Sequence, residues 1–242
     1  MSPWSISHNT LLGKAIRLPL RLVPPGTVVP IVQGPARGKR WVSNAAANGY
    51  WLGFWEMENQ RLFAARLRQG DVVYDIGAHV GLYMLGASEK VGLEGHVYAF
   101  EPLQRNVQYL RRHIELNRLP NCSVVEAAVY NSTGWRKFDA SGCHSEARLS
   151  VTGSTTVPTL SIDEFLSSEP SRRPPNVMKI DTPGAEMEIL RGGWRTLAEF
   201  TPQLFLFSNY EDANRRCREL LSSLGYSFEQ LAANAMRAEN RR

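Results

Sequence analysis

The stretch VVYDIGAHVGLYML, Val72 to Leu85, constrains the fold more than any other. An apolar, β-favouring run meets Gly77, passes Gly81 and continues with helical spacing. A strand that enters a glycine turn and leaves as a helix opens a βαβ unit. The pattern recurs. GHVYAFE reads as a strand and LQRNVQYLRRHIELN as a helix, and CSVVEAAV reads as the next strand. Alternation at intervals of about 25 residues implies right-handed crossovers and a parallel sheet. After a pause from Tyr130 to Pro158, rich in turn signals, it resumes as NVMKID, GAEMEILRGG, PQLFLFS, EDANRRCRELLSSLG and YSFEQL. The pause reads as an antiparallel excursion or a flap. The expected fold class is α/β, a Rossmann-like, doubly wound, mostly parallel sheet with a small N-terminal cap.

Three parts are expected along the chain. Residues 1–55, rich in Pro, Gly and Trp, read as a cap of short strands and a helix, with Trp41, Trp51 and Trp55 as core packing. Residues 56–231 form the α/β domain, opening with a helix from Glu56 to Leu67. Residues 232–242, AANAMRAENRR, read as a polar tail that frays. With 43% hydrophobic and 21% charged residues among 242, the chain can bury a full core. A net charge of +5 is too small and too dispersed to argue for nucleic acid. Three separated cysteines without metal spacing fit free thiols in a reducing, cytoplasmic setting. No run reaches the ~18 apolar residues of a membrane span. LLGKAIRLPLRLV is broken by Lys14, Arg17, Pro19 and Arg21. Its basic face fits a membrane-surface helix. A short helix docked on the domain fits it more simply, because Pro19 limits its length.

In an open parallel sheet, ligands bind beyond the carboxyl ends of the strands. Three strands here end in acid, at Asp75, Glu101 and Asp181, and Glu126 lies near the end of a fourth. A dinucleotide site calls for three glycines in GxGxxG. This turn has Gly77 and Gly81 alone, and the acid before them disfavours a diphosphate. Glu101 ends the next strand, where an acid can accept ribose hydroxyls. Ribose without pyrophosphate, together with a cationic group near Asp75, describes S-adenosyl-L-methionine.

These motifs resemble the FkbM-type methyltransferases of the class I S-adenosylmethionine-dependent superfamily, over about residues 34–228. The resemblance rests on GYWLGFWE, GDVVYDIGAHVGLYML, GHVYAFEPLQRNVQYLRRHIELN, VEAAVYNSTG, TLSIDEF, VMKIDTPGAEMEILRGG and CRELLSSLGY. It implies that Asp75, Gly77, Ala78 and Gly81 surround the methionine part of the cofactor. It places Glu101 on the ribose, Pro102 on the adenine side, and Glu126 and Ala127 near adenine. Glu56 would reach the cofactor's amino-acid end, and His79 either lines the cofactor's edge or is structural. Asp181 and Lys179 would face the methyl-acceptor pocket, with Glu186 on the helix behind. Asp181 is the candidate base for a hydroxyl acceptor, Lys179 its partner, and His144 in the flap an alternative base. No cluster at metal-ligand spacing supports a metal.

Other readings stay open. Asp75 and Asp181 also fit helix caps, and Glu186 and Glu188 fit a solvated helix face. The family usually reads KIDVEGAE where this chain has KIDTPGAE. Thr182 and Pro183 thus motivate an alternative, a catalytically impaired cofactor-binding scaffold. RGKR beside Trp41 motivates another, an RNA methyltransferase. The expected activity is O-methylation of a hydroxyl on a small molecule or sugar. Oligomeric state is not legible.

Overall fold

The structure, a computed structural model, describes residues 20, 22–139, 148–149, 153–208 and 210–240. His144, and the helix expected at the start of the cap, lie outside the described residues. The cap contributes β1 (Val28–Pro30) and β2 (Arg40–Val42), which pair antiparallel. Then follow α1 (Met57–Ala64), β3 (Val72–Ile76), α2 (Leu82–Val91), β4 (His96–Phe100), α3 (Gln104–Asn117) and β5 (Cys122–Val125). A second group comprises β6 (Ala128–Val129), β7 (Gly134–Asp139), β8 (Arg148–Leu149) and β9 (Thr155–Leu160). The chain closes with α4 (Ile162–Ser167), β10 (Val177–Ile180), α5 (Glu186–Gly192), α6 (Trp194–Phe200), β11 (Gln203–Phe207), α7 (Glu211–Ser223), β12 (Tyr226–Ala232) and β13 (Ala235–Asn240).

The main sheet has seven strands in the order β12-β13-β11-β10-β3-β4-β5. Its five strands from β11 to β5 run parallel. The chain builds outward from β3 through β4 to β5, then returns to the other side of β3 with β10. The order therefore reverses between β3 and β10, and a crevice opens at their carboxyl ends.

Period-2 alternation divides the strands between two cores. Val73, Val97, Val177 and Phe205 face the cap, α2 and α3. Tyr74, Phe100, Met178, Ile180 and Leu204 face α5, α6 and α7. The cap is stapled to the first face by His113, whose ring stacks on Trp41 at 4.3 Å. Its Nε2 accepts from the Val42 amide at 3.0 Å, which leaves Nδ1–H to donate to the Val80 carbonyl at 2.9 Å. Trp41 and Trp51 are buried as expected, but Trp55 is 39% exposed.

Three local expectations change. The first helix begins at Met57, because Glu56 has a left-handed φ of 46° that cannot continue a helix. CSVVEAAV splits. Its first half edges the main sheet as β5, while Ala128–Val129 crosses to the four-stranded sheet β6-β9-β7-β8. That sheet is the antiparallel excursion, with β7 between β8 and β9. The expected polar tail is a correction. Ala235–Asn240 is β13, inserted between β11 and β12. Met236 and Ala238 point into one core, Ala235 into the other, and Arg237 is neutralised by Glu229 and Glu239. Small alanines and paired charges give a buried strand a polar appearance.

Candidate active site

Parallel pairing of β3 with β10 sets Lys179 beside Asp75 in register. Both side chains lie on the cap-facing side, 2% and 1% exposed. Lys179 Nζ sits 3.1 Å from Asp75 Oδ1 and 3.5 Å from Asp181 Oδ2, and donates to the Gly77 carbonyl at 2.9 Å. Burial works against the ammonium's charge, but Asp75 and Asp181 outweigh it and hold Lys179 above its ordinary value. Asp181 stands just beyond β10 with its side chain 35% exposed. The expected alternation of Lys179 and Asp181 onto one face is therefore what the strand does.

The turn after β3 is held by its neighbours. The amides of Gly77 and Ala78 donate to the Phe100 carbonyl at 3.2 and 3.0 Å. A Cβ on Gly77, at φ 76°, would lie 2.2 Å from the Asp181 carbonyl oxygen. The close approach that demands glycine is thus made by the chain's own β10 end. Gly81, at φ 94°, begins α2. His79 adopts a left-handed φ of 52°, which points its amide at Glu101 Oε2, 3.0 Å away.

Glu101 is 5% exposed. Its Oε1 accepts from the Leu103 amide at 2.9 Å and from Asn106 Nδ2 at 3.2 Å. Burial pushes its carboxyl up to about 7, against these donors. Three of roughly four acceptor positions are taken, leaving capacity for about one further donor. Pro102, partly exposed, follows it. Glu126 turns outward and pairs with Arg111 on α3, while Ala127 is buried beside the Val125 carbonyl that receives the Glu101 amide.

Glu56 enters from the cap side. Its Oε2 accepts from the Tyr83 hydroxyl at 3.0 Å, and the face of the Tyr83 ring lies 4.9 Å from Lys179 Nζ. Burial, then the charge of Asp181, raise the Glu56 carboxyl above its usual range. Four carboxylates, Glu56, Asp75, Glu101 and Asp181, thus lie within electrostatic reach of one ammonium. Among the described residues, Asp75 and Asp181 are ion-paired to Lys179, while Glu56 and Glu101 take hydrogen bonds from neutral donors. The surplus negative charge suits a cationic ligand.

Sequence reasoning missed Tyr83 and Asn106. Tyr83 sits inside the apolar run GLYML and reads as core, and Asn106 lies in an otherwise charged helix. Glu186 is not on a solvated face. It is 1% exposed, its pKa is raised by burial, and neither oxygen makes a hydrogen bond of normal geometry. The buried Thr182 Oγ1 makes none either. Glu188 does face outward, pairing with Arg191. In the RGKR run, Lys39 pairs with Glu89 at 2.6 Å, which draws one charge away from a phosphate-binding role. No described helix is long and apolar enough to cross a membrane.

The family description "Methyltransferase FkbM domain" matches residues 75–228. A curated relative, hexuronic acid methyltransferase AglP of Haloferax volcanii, is 30% identical over 143 residues, covering 57% of this chain and 56% of its own. The chain thus spans about half the length of that relative. Among solved structures, an S-adenosylmethionine-dependent O-methyltransferase from Thermotoga maritima aligns with a TM-score of 0.50 at 10% identity, covering 96% of this chain and 82% of that one. Trm5b from Pyrococcus abyssi aligns with a TM-score of 0.51 at 15% identity, covering 84% and 53%. At such identities these two likenesses concern the fold alone.

Proposed function

The chain belongs to the FkbM methyltransferase domain family, and on that premise we propose that it transfers a methyl group from S-adenosylmethionine to a hydroxyl of a sugar or another small molecule. The observation that carries this reading is the division of the four carboxylates at the β3/β10 crevice. Two are ion-paired to Lys179, and two have hydrogen bonds from neutral donors and acceptor capacity to spare. A zwitterionic sulfonium ligand with a ribose needs that kind of surface.

The residues present fit the cofactor. Glu101 has capacity for a ribose hydroxyl, and Glu56 for an ammonium group. The Gly77–Gly81 turn brings backbone rather than side chain to the crevice, with Ala78 and His79 between, and Asp75 anchors its base. Pro102 and Ala127 flank Glu101 on the side where an adenine would follow. Glu126, turned to Arg111, contributes backbone there rather than its carboxylate. Bound S-adenosylmethionine supplies an electrophilic methyl group on a positively charged sulfur. The acceptor must be oriented and water kept away. Asp181, 35% exposed just beyond β10, takes the acceptor's proton. Lys179 holds Asp181 in place through an ion pair at 3.5 Å. The sugar preference is supported by the printed function of the Haloferax relative. It is supported also by Trp55, a half-exposed indole beside Glu56 whose ring stacks on Tyr50 at 4.8 Å and offers an apolar face to a sugar ring.

Calorimetry with S-adenosylmethionine and S-adenosylhomocysteine tests the cofactor, with NAD as control. Saturable binding of both adenosyl ligands, lost in Glu101→Ala, is expected. Absence of binding to the wild-type chain would overturn the reading. The acceptor class is tested by transfer of labelled methyl to a panel of hexoses and hexuronic acids. Label that reaches amine or RNA substrates and no sugar would remove the sugar assignment.

A further inference from the structure

Glu56 occupies the residue just ahead of α1, where an acidic side chain ordinarily accepts from the helix's own amides. It makes no such capping bond. Instead it holds a left-handed backbone, φ 46° and ψ 35°, which a residue with a Cβ adopts only when its surroundings impose it. Its carboxylate is turned away from the helix and onto the Tyr83 hydroxyl, 3.0 Å away. Tyr83 is 8% exposed, and its ring packs edge-on against Phe63 and at a tilt against Phe207. The phenol is therefore a rigid donor. The same ring presents its face to Lys179 Nζ at 4.9 Å.

The kind of donor matters. Lys179 is already engaged by Asp75, Asp181 and the Gly77 carbonyl. No ion pair reaches Glu56 among the described residues. A neutral hydroxyl fixes a carboxylate's direction without cancelling its charge. The Tyr83 ring, meanwhile, gives the lysine a face to rest on. Glu56 thus remains aimed, with no cation paired to it among the described residues.

Resting on the function proposed above, we propose that Tyr83 is a positioning residue for the cofactor's amino-acid end: it aims Glu56 at the primary ammonium of the ligand. The segment between the cap and the first strand of the α/β sheet then contributes to the cofactor pocket.

The test is a double-mutant cycle of Tyr83→Phe and Glu56→Gln, read by calorimetry with S-adenosylhomocysteine. A second titration uses 5′-methylthioadenosine, which keeps adenosine and sulfur but lacks the ammonium. Each single variant should weaken S-adenosylhomocysteine about tenfold, and the double variant by no more than either single. Affinity for 5′-methylthioadenosine should be unchanged, which a merely structural role for Tyr83 would not leave so. Unaltered S-adenosylhomocysteine binding in Tyr83→Phe, additive losses, or equal losses for both ligands overturn the inference. If Tyr83→Phe melts early, Glu56→Gln carries the same two-ligand comparison, because its side chain is half-buried and isosteric. A wild-type chain that binds neither ligand fails the proposed function first, and the inference falls with it. A wild-type chain that binds, with variants that bind equally well, fails the inference alone.

Discussion

The two strand-to-helix turns flanking the crevice are built oppositely. After β3, the backbone donors are paired. Amides of Gly77 and Ala78 meet the Phe100 carbonyl, and the His79 amide meets Glu101, which is held in turn by Leu103 and Asn106. After β10, Thr182 Oγ1 and both oxygens of Glu186 are buried without a hydrogen bond of normal geometry. Buried polar groups left in that state cost stability, so folds keep few of them. The first turn's backbone donors are satisfied within the chain, while Asp75 at its base relies on the Lys179 ion pair. The second turn keeps a buried hydroxyl and a buried carboxyl at the end of β10. It also carries Thr182 and Pro183, where the resemblance leads to an expectation of valine and glutamate.

The largest effect is expected at the joint between the two turns. Lys179→Met leaves Asp75 buried and uncompensated, and should lower unfolding free energy by about 3–5 kcal/mol. Adding Asp75→Asn should recover most of that in urea titrations. If the double variant is no better than the single, the ion pair is not what joins the halves. Next is Gly77→Ala, which sets a Cβ against the Asp181 carbonyl at a left-handed φ. A loss of about 1–3 kcal/mol is expected by the same assay. A neutral result would mean that the turns are not in close contact.

The pH response follows. Glu101 is raised from 4.5 to about 7 by burial, so the folded state holds its proton more tightly than the unfolded chain. Its contribution to stability is present below about 4.5 and lost as pH rises through about 7. Glu101→Gln should flatten stability across that window, and cofactor affinity should rise with pH across it as the carboxylate ionises. His113 acts in reverse. Burial lowers it to about 4, so its contribution is present above about 6.5 and lost as pH falls toward 4. His113→Gln should remove that acid-side loss from melting curves.

The smallest effects belong to the second turn. Thr182→Val removes a hydroxyl that has no partner, and should leave stability within about 0.5 kcal/mol or raise it. A clear loss would show that Thr182 Oγ1 is satisfied in solution, and would erase the contrast between the turns.

The alternation of the main-sheet strands with α2, α3, α5 and α7 between Val72 and Tyr226 was legible because period-2 and helical spacing are local properties of the chain, whereas the split of CSVVEAAV and the helices α4 and α6 were not. The acids at the strand ends were legible too, because the carboxyl ends of a parallel sheet are where ligands meet it. What stayed hidden depended on partners distant in sequence. Arg237 looks solvated until Glu229 and Glu239 close around it, so β13 looks like a tail. Tyr83 looks like core until Glu56 and Lys179 meet on its two sides.

By itself the sequence determined the α/β class, the glycine turn and the acids Asp75, Glu101 and Asp181. Each depends on residues within one strand or one turn. Only the tertiary structure decided which carboxylates are paired with Lys179. Charge pairing is set by register and burial across strands about 100 residues apart, and no local pattern records it.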